Sequence, residues 1–177
     1  MKRSFVSAAC AVLTVVFASE LCAQSANEFR RFDINWNVVS YVRQGSTDNL
    51  GGTLGFTAHV NDRLGIVADL GVHAPTDFGF DATTYRFGPR ITHRSGKRLM
   101  VFGQFLAGGV HLNVFDLGIF SPTANGFSML MGGGVDVGIR HWFAIRVVEG
   151  GYSGLHVDGG WSNGARVSTG IVFRFGQ

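Results

Sequence analysis

The chain has 177 residues, of which 15% are charged and 26 are glycine; that is one domain's length, with a charged share well below the roughly 25% of soluble domains. Its formal charge of +3 comes from 15 basic and 12 acidic residues without any basic or acidic block, which argues against a nucleic-acid-binding tract. Sixteen phenylalanines and no uninterrupted helical span are unusual for a soluble protein.

Lys2 and Arg3 precede an apolar run from Phe5 to Ala18, followed by Leu21, Cys22 and Ala23. This is the pattern of a secretory signal peptide, with cleavage expected after Ala23 and a single domain over 24–177. The run is shorter than the ~20 residues of a membrane-crossing helix. Leu21 before Cys22 does not fit lipoprotein processing. Both cysteines, Cys10 and Cys22, leave with the signal, so the exported chain has no thiol, disulfide or Cys-based metal site. It keeps 13 basic and 11 acidic residues.

Beyond a polar leader, Phe32 to Arg43 alternates, with Phe32, Ile34, Trp36, Val38 and Val42 opposite Asp33, Asn35, Asn37, Tyr41 and Arg43. Period 2 marks a strand with unlike faces. A loop at 44–49 leads to a second strand, Leu50 to Val60, which ends in the turn Asn61-Asp62-Arg63. The third strand, Leu64 to His73, precedes a longer loop that carries Pro75, Asp77 and Gly79, all turn formers. The fourth, Thr83 to His93, contains Pro89, which cannot donate to a ladder and predicts a local bulge. On the fifth, Arg98 to His111, neither face is clearly polar. The longest loop, Leu112 to Ala124, is apolar for an exposed segment, with Phe115, Leu117, Ile119 and Phe120 as contact candidates.

The sixth strand, Asn125 to Arg140, alternates, and the seventh, Phe143 to Tyr152, does so except that Glu149 is out of phase. After a loop at 153–163, the last strand sets Ala165, Val167, Thr169, Ile171, Phe173 and Phe175 against Arg166, Ser168, Gly170, Val172 and Arg174. Eight strands joined by alternately long and short connections predict an all-β fold, an eight-stranded antiparallel up-and-down transmembrane β-barrel. Alternation alone also fits a soluble sandwich. The export signal, the strand lengths near the 9 to 11 residues needed to span and the lack of a helix to cover a sheet face favour the barrel. Its apolar face turns to lipid.

Several runs resemble the small eight-stranded outer-membrane barrels of Gram-negative bacteria, the OmpA-type transmembrane domain family. They are Thr84 to Arg90, Gly132-Gly133-Gly134, Phe143-Ala144-Ile145-Arg146 and the ending Gly170 to Phe175. The resemblance implies residence in the outer membrane, contact with its lipid and lipopolysaccharide, and insertion by the outer-membrane assembly machinery; the apolar loop from Leu112 to Ala124 is then expected to contact a partner or lipopolysaccharide, the alternative being that it folds over the barrel mouth. That machinery recognises a C-terminal aromatic strand; here Gly176 and Gln177 follow Phe175. A monomer is expected, with no nucleic-acid partner, no cofactor and no metal.

Eight strands leave an interior that side chains nearly fill. Asp33, Asp69 and Asp136 fall on the inward faces with Arg43, Arg86, Arg90, Arg140, Arg146, Arg166 and Arg174. Counting depth from the short-turn end pairs Asp33 with Arg174, Asp69 with Arg90 and Asp136 with Arg146, because unpaired charges in a narrow interior are costly. The six histidines are scattered without ligand spacing, and neither Gly132-x-Gly134 nor Gly96-Lys97 has the context of a nucleotide site. Function reads as structural or surface-interacting and non-catalytic. The rivals are a narrow solute or ion channel, a lipid A deacylase-like enzyme using Glu149, Ser153 and His156, whose family motif is not matched, and a soluble lipocalin-type barrel.

Overall fold

The computed structural model describes residues 30–76, 80–95, 98–114 and 123–176. The expected signal peptide over 1–23 and the loop residues Phe115, Leu117, Ile119 and Phe120 lie outside them. Eight strands follow one another: β1 (Phe32–Gln44), β2 (Thr47–His59), β3 (Leu64–Pro75), β4 (Phe80–Ser95), β5 (Leu99–Val114), β6 (Thr123–Arg140), β7 (Phe143–Val157) and β8 (Gly160–Phe175). Each pairs antiparallel with the next, and β8 returns to β1 to close the barrel, from Phe32 opposite Phe175 to Gln44 opposite Gly164. Closure leaves no strand edge unpaired.

The faces are inverted relative to a soluble protein. Ile34 and Phe173 are 38% and 39% exposed, and Leu70 on β3 is 57% exposed, whereas Asp33 is 0% exposed. Trp36, Leu54, Leu70 and Tyr85 pair in sequence across β1 to β4 as one outward row halfway along the strands. Aromatic rings gather at the end that carries the chain termini. Phe32 stacks on Phe56 and on Phe175, each at 5.8 Å, and Trp142 lies 6.2 Å from Phe173.

On β5 the even-numbered residues face in: Met100, Phe102, Gln104, Leu106 and Val110 are buried. The interior is therefore mixed, and Val67, Leu106 and Leu130 form an apolar cluster across the bore.

Three register shifts reset the alternation, one of them at Ile139 just before the β6–β7 turn. Val38 and Val39 on β1 both face outward, and the register shifts there against both neighbours. Beyond them the phase flips, so Ser40 is buried while Tyr41 and Arg43 are exposed, contrary to the simple period-2 assignment. Val147 and Val148 do the same on β7, where Arg146 and Glu149 both end up inside. An extra residue in one strand has this effect on everything after it. Pro89 makes no bulge: Phe87 opposite Ala107 and Arg90 opposite Gln104 keep one register, and the ladder simply skips Gly88 and Pro89. Arg140 is exposed beside the turn at His141 and Trp142.

The expected long loops at 44–49 and 153–163 are strands instead. Gly45 and Ser46 alone connect β1 to β2, and Asp158 and Gly159 connect β7 to β8. Both residues of the second turn have positive φ, 50° and 79°, which suits the type I′ hairpin favoured by Asp-Gly. Gly45 supplies a φ of 60° at the first position of its turn. At the terminus end Asn61 Oδ1 accepts from the backbone of Arg63 at 2.9 Å and Leu64 at 2.8 Å, an Asx turn that fixes the β2–β3 hairpin.

Candidate functional site

Alternation and the β7 bulge together bring the charged side chains into one buried network. Among the described residues Asp33, Asp69, Asp136 and Glu149 are buried, as are Arg86, Arg90, Arg146 and Arg166; Asp69, Asp136 and Glu149 join the arginines, while Asp33 meets His59. Burying an ion is costly unless it is paired and hydrogen-bonded.

Glu149 is the hub. Its carboxylate accepts from Arg146 Nη1 at 2.7 Å, from Gln104 Nε2 at 3.1 Å, from Asn37 Nδ2 at 3.4 Å and from Arg166 Nη2. Arg166 continues across the bore to Asp69 at 3.1 Å, and Arg86 lies 3.4 Å from the same oxygen. Arg146 continues the other way, to Asp136 at 2.8 and 3.2 Å. Gln104 Oε1 accepts two bonds from Arg90, at 3.0 and 2.6 Å.

The Phe102 ring meets two of these cations. The Arg90 guanidinium lies 4.3 Å from its centroid and that of Arg146 4.5 Å, so one ring makes two cation–π interactions. Gly134 makes room for it: a Cβ there would lie 2.7 Å from Phe102 Cζ.

Of the three pairs expected from depth, the structure brings together Asp136 and Arg146. Asp69 meets Arg86 and Arg166 instead of Arg90, because β3 and β4 are staggered: Leu64 pairs with Ile91, leaving four residues of β4 beyond the end of β3. Such stagger accompanies strand tilt in a closed barrel. Asp33 and Arg174 are register partners, yet Asp33 Oδ2 lies 2.9 Å from His59 Nε2 and Arg174 Nη2 lies 3.9 Å from Asp136. Long side chains that converge on a narrow bore reach past their neighbouring strand. The expected pairs do not include Glu149, Gln104 or Phe102; the two consecutive outward valines before Glu149 are the sequence signal for its place in the network.

Glu149, Ser153 and His156 do not assemble into a hydrogen-bonded set. Glu149 is engaged by two arginines, and the His156 ring packs 4.9 Å from Trp161. Among the described residues no three His, Cys, Asp or Glu side chains gather as a group that could hold a metal ion.

No family model matches the chain, and no curated protein sequence matches it. Solved structures do. Neisserial surface protein A superposes with a TM-score of 0.61 at 12% identity, over 81% of this chain and 96% of that one. Ail, the attachment invasion locus protein of Yersinia pestis, gives 0.54 at 17% identity, over 81% and 96%; it has also been solved in complex with the heparin analogue sucrose octasulfate. The N-terminal β-barrel domain of Pseudomonas aeruginosa OprF gives 0.51 at 14% identity, over 81% and 98%. A closed barrel of eight antiparallel strands with an apolar exterior and an ion-paired interior, superposing on these proteins over nearly their whole length, has the fold of the small eight-stranded outer-membrane β-barrels.

Proposed function

We propose that this chain is an integral protein of a bacterial outer membrane, exported by its N-terminal signal, with a closed interior and a structural or surface-interaction role without catalysis. The observation that carries the reading is the pairing of a broad apolar exterior with a filled, charge-balanced bore: Arg90, Arg146 and Arg166 are among the largest fully buried side chains. Such a bore leaves no water column for solutes, which argues against the channel reading. The terminus end, with its aromatic cluster, faces the periplasm, and the hairpin tips of β1–β2 and β7–β8 face outward. The lipid-facing belt contacts phospholipid and lipopolysaccharide, the assembly machinery inserts the chain, and closure suits a monomer.

Binding of a sulfated polyanion, as seen for Ail, is not transferred. Among the described residues of the outward end Asp48, Asp81 and Asp158 outnumber Arg43, and Arg43 itself lies 3.8 Å from Asp48.

Fractionation of cells expressing the full chain, combined with planar-bilayer recording of the purified protein, tests the proposal. It predicts recovery with outer membranes, heat-modifiable gel mobility and no steady conductance. Recovery in the soluble periplasm, or long-lived open pores, would overturn it.

A further inference from the structure

A recess of about 350 Å³ opens at the outward end of the bore, above the ion-pair network. Its lining is of two kinds. Ala82 of β4, Leu112 of β5 and Leu155 and Val157 of β7 supply apolar lining, continued by Trp161 of β8, while Gln44, Asn49 and Ser162 of β1, β2 and β8 supply the polar part. Among the described residues no Asp, Glu, Lys, Arg or His contributes to the lining. A charged ligand would therefore enter without a counter-ion, at a cost in a confined site.

The polar part holds unmet acceptors. Gln44 Nε2 donates to the Ser162 carbonyl at 2.6 Å, which fixes the amide's orientation and leaves its Oε1 buried without a partner. Asn49 is 8% exposed, and its Oδ1 is likewise buried without a partner. Buried polar atoms are nearly always satisfied, so two unpaired carbonyl oxygens in a half-apolar cavity point to a donor that arrives from outside. Small-molecule sites have this composition, mostly apolar with a few convergent polar groups, and they recur in the mouths of β-barrels.

We propose that the recess is a binding site for a small neutral amphipathic molecule: a single apolar ring system or short aliphatic chain that bears an N–H or O–H donor. The apolar part lies against Leu112, Leu155 and Val157, and the donor bonds to Gln44 Oε1 or Asn49 Oδ1. This goes beyond the surface role proposed above and does not depend on where in the cell the barrel resides.

Indole and 1-methylindole are a suitable probe pair, since they share the ring and differ in the donor. Each is titrated into isotope-labelled protein in lipid nanodiscs, and backbone amide shifts are followed by NMR. The proposal predicts saturable shifts at Thr47, Leu112 and Val157 with indole, and affinity about fivefold weaker for 1-methylindole, the share of one neutral hydrogen bond. Filling the recess with Leu155→Trp abolishes saturation, and Asn49→Leu weakens indole without weakening 1-methylindole. Shifts that rise linearly with ligand, or that centre on the lipid-facing amides of Leu70 and Phe87, would show partition into the bilayer and overturn the proposal. So would equal affinity for the two probes, which is read on the unaltered protein and does not depend on a variant folding.

Discussion

Arg146 and Glu149 stand three residues apart on β7, yet both point into the bore, and Arg146 Nη1 donates to Glu149 Oε2 at 2.7 Å. The outward pair Val147 and Val148 makes this possible. Without that bulge Glu149 would face lipid, where an ionised side chain at mid-membrane costs roughly 2 to 4 kcal/mol for Arg or Lys and less for an acid.

Glu149→Ala removes the carboxylate that joins Arg146, Arg166 and Gln104. Arg146 keeps Asp136 and Arg166 keeps Asp69, so neither cation is fully orphaned. We expect a loss near the lower end of the range for breaking a buried pair, about 3 kcal/mol. Urea unfolding of protein folded into vesicles measures it. A change below about 1 kcal/mol, the worth of an exposed pair, would show that water already serves the arginines.

Phe102→Ala opens a cavity and removes the ring that meets two guanidinium groups. A loss of about 3 to 5 kcal/mol is expected from the truncation. Phe102→Leu keeps most of the volume and loses the π-face, so a smaller loss of about 1 to 2 kcal/mol follows for two cation–π contacts. Gly134→Ala presses on the Val148 carbonyl as well as on the same ring, and should shift both the Phe102 resonance and the β7 amides beside it. Equal stability of the Leu variant and the parent would show that only volume matters there.

How far the sequence alone carried can be judged from these residues. Period-2 alternation assigns β2, β3, β4 and β8 correctly, and β6 as far as Gly138, because one side of each strand is nearly pure. It breaks on β1 past Asn37, on β7 past Arg146 and on β6 past Gly138, where one inserted residue exchanges the faces, so Arg43 and Arg140 read as inward and are exposed. Strand stagger is a property of closure and has no local signature; that is why Asp69 was matched with Arg90 and not with Arg86. The Asp158-Gly159 pair was a legible hairpin signal, obscured by surrounding Gly and Ser that read as loop.

A charge placed on the outward row should report depth. Leu70→Arg, halfway along β3, is predicted to cost roughly 2 to 4 kcal/mol, and Val60→Arg, beside the β2–β3 turn, about 0 to 1 kcal/mol. Vesicle unfolding titrations compare the two. Equal costs would mean that Leu70 does not sit in hydrocarbon.

Phe32 and Phe175 stack at 5.8 Å where the first and last strands meet. Alanine at either position loses area, and the pair should show a coupling of about 0.5 to 1.5 kcal/mol in a double-mutant cycle. Zero coupling would indicate that the seam is held by its backbone ladder alone.

The central claim is that the apolar face meets lipid, and Trp36 reports on it directly because it is 53% exposed in the middle outward row. With Trp142→Phe and Trp161→Phe leaving Trp36 as the sole indole, the protein is folded into vesicles whose acyl chains are brominated either near the headgroup or near the chain end. The account predicts blue-shifted emission, quenched more strongly by the deep bromines. Emission typical of water, or quenching by neither lipid, would contradict it.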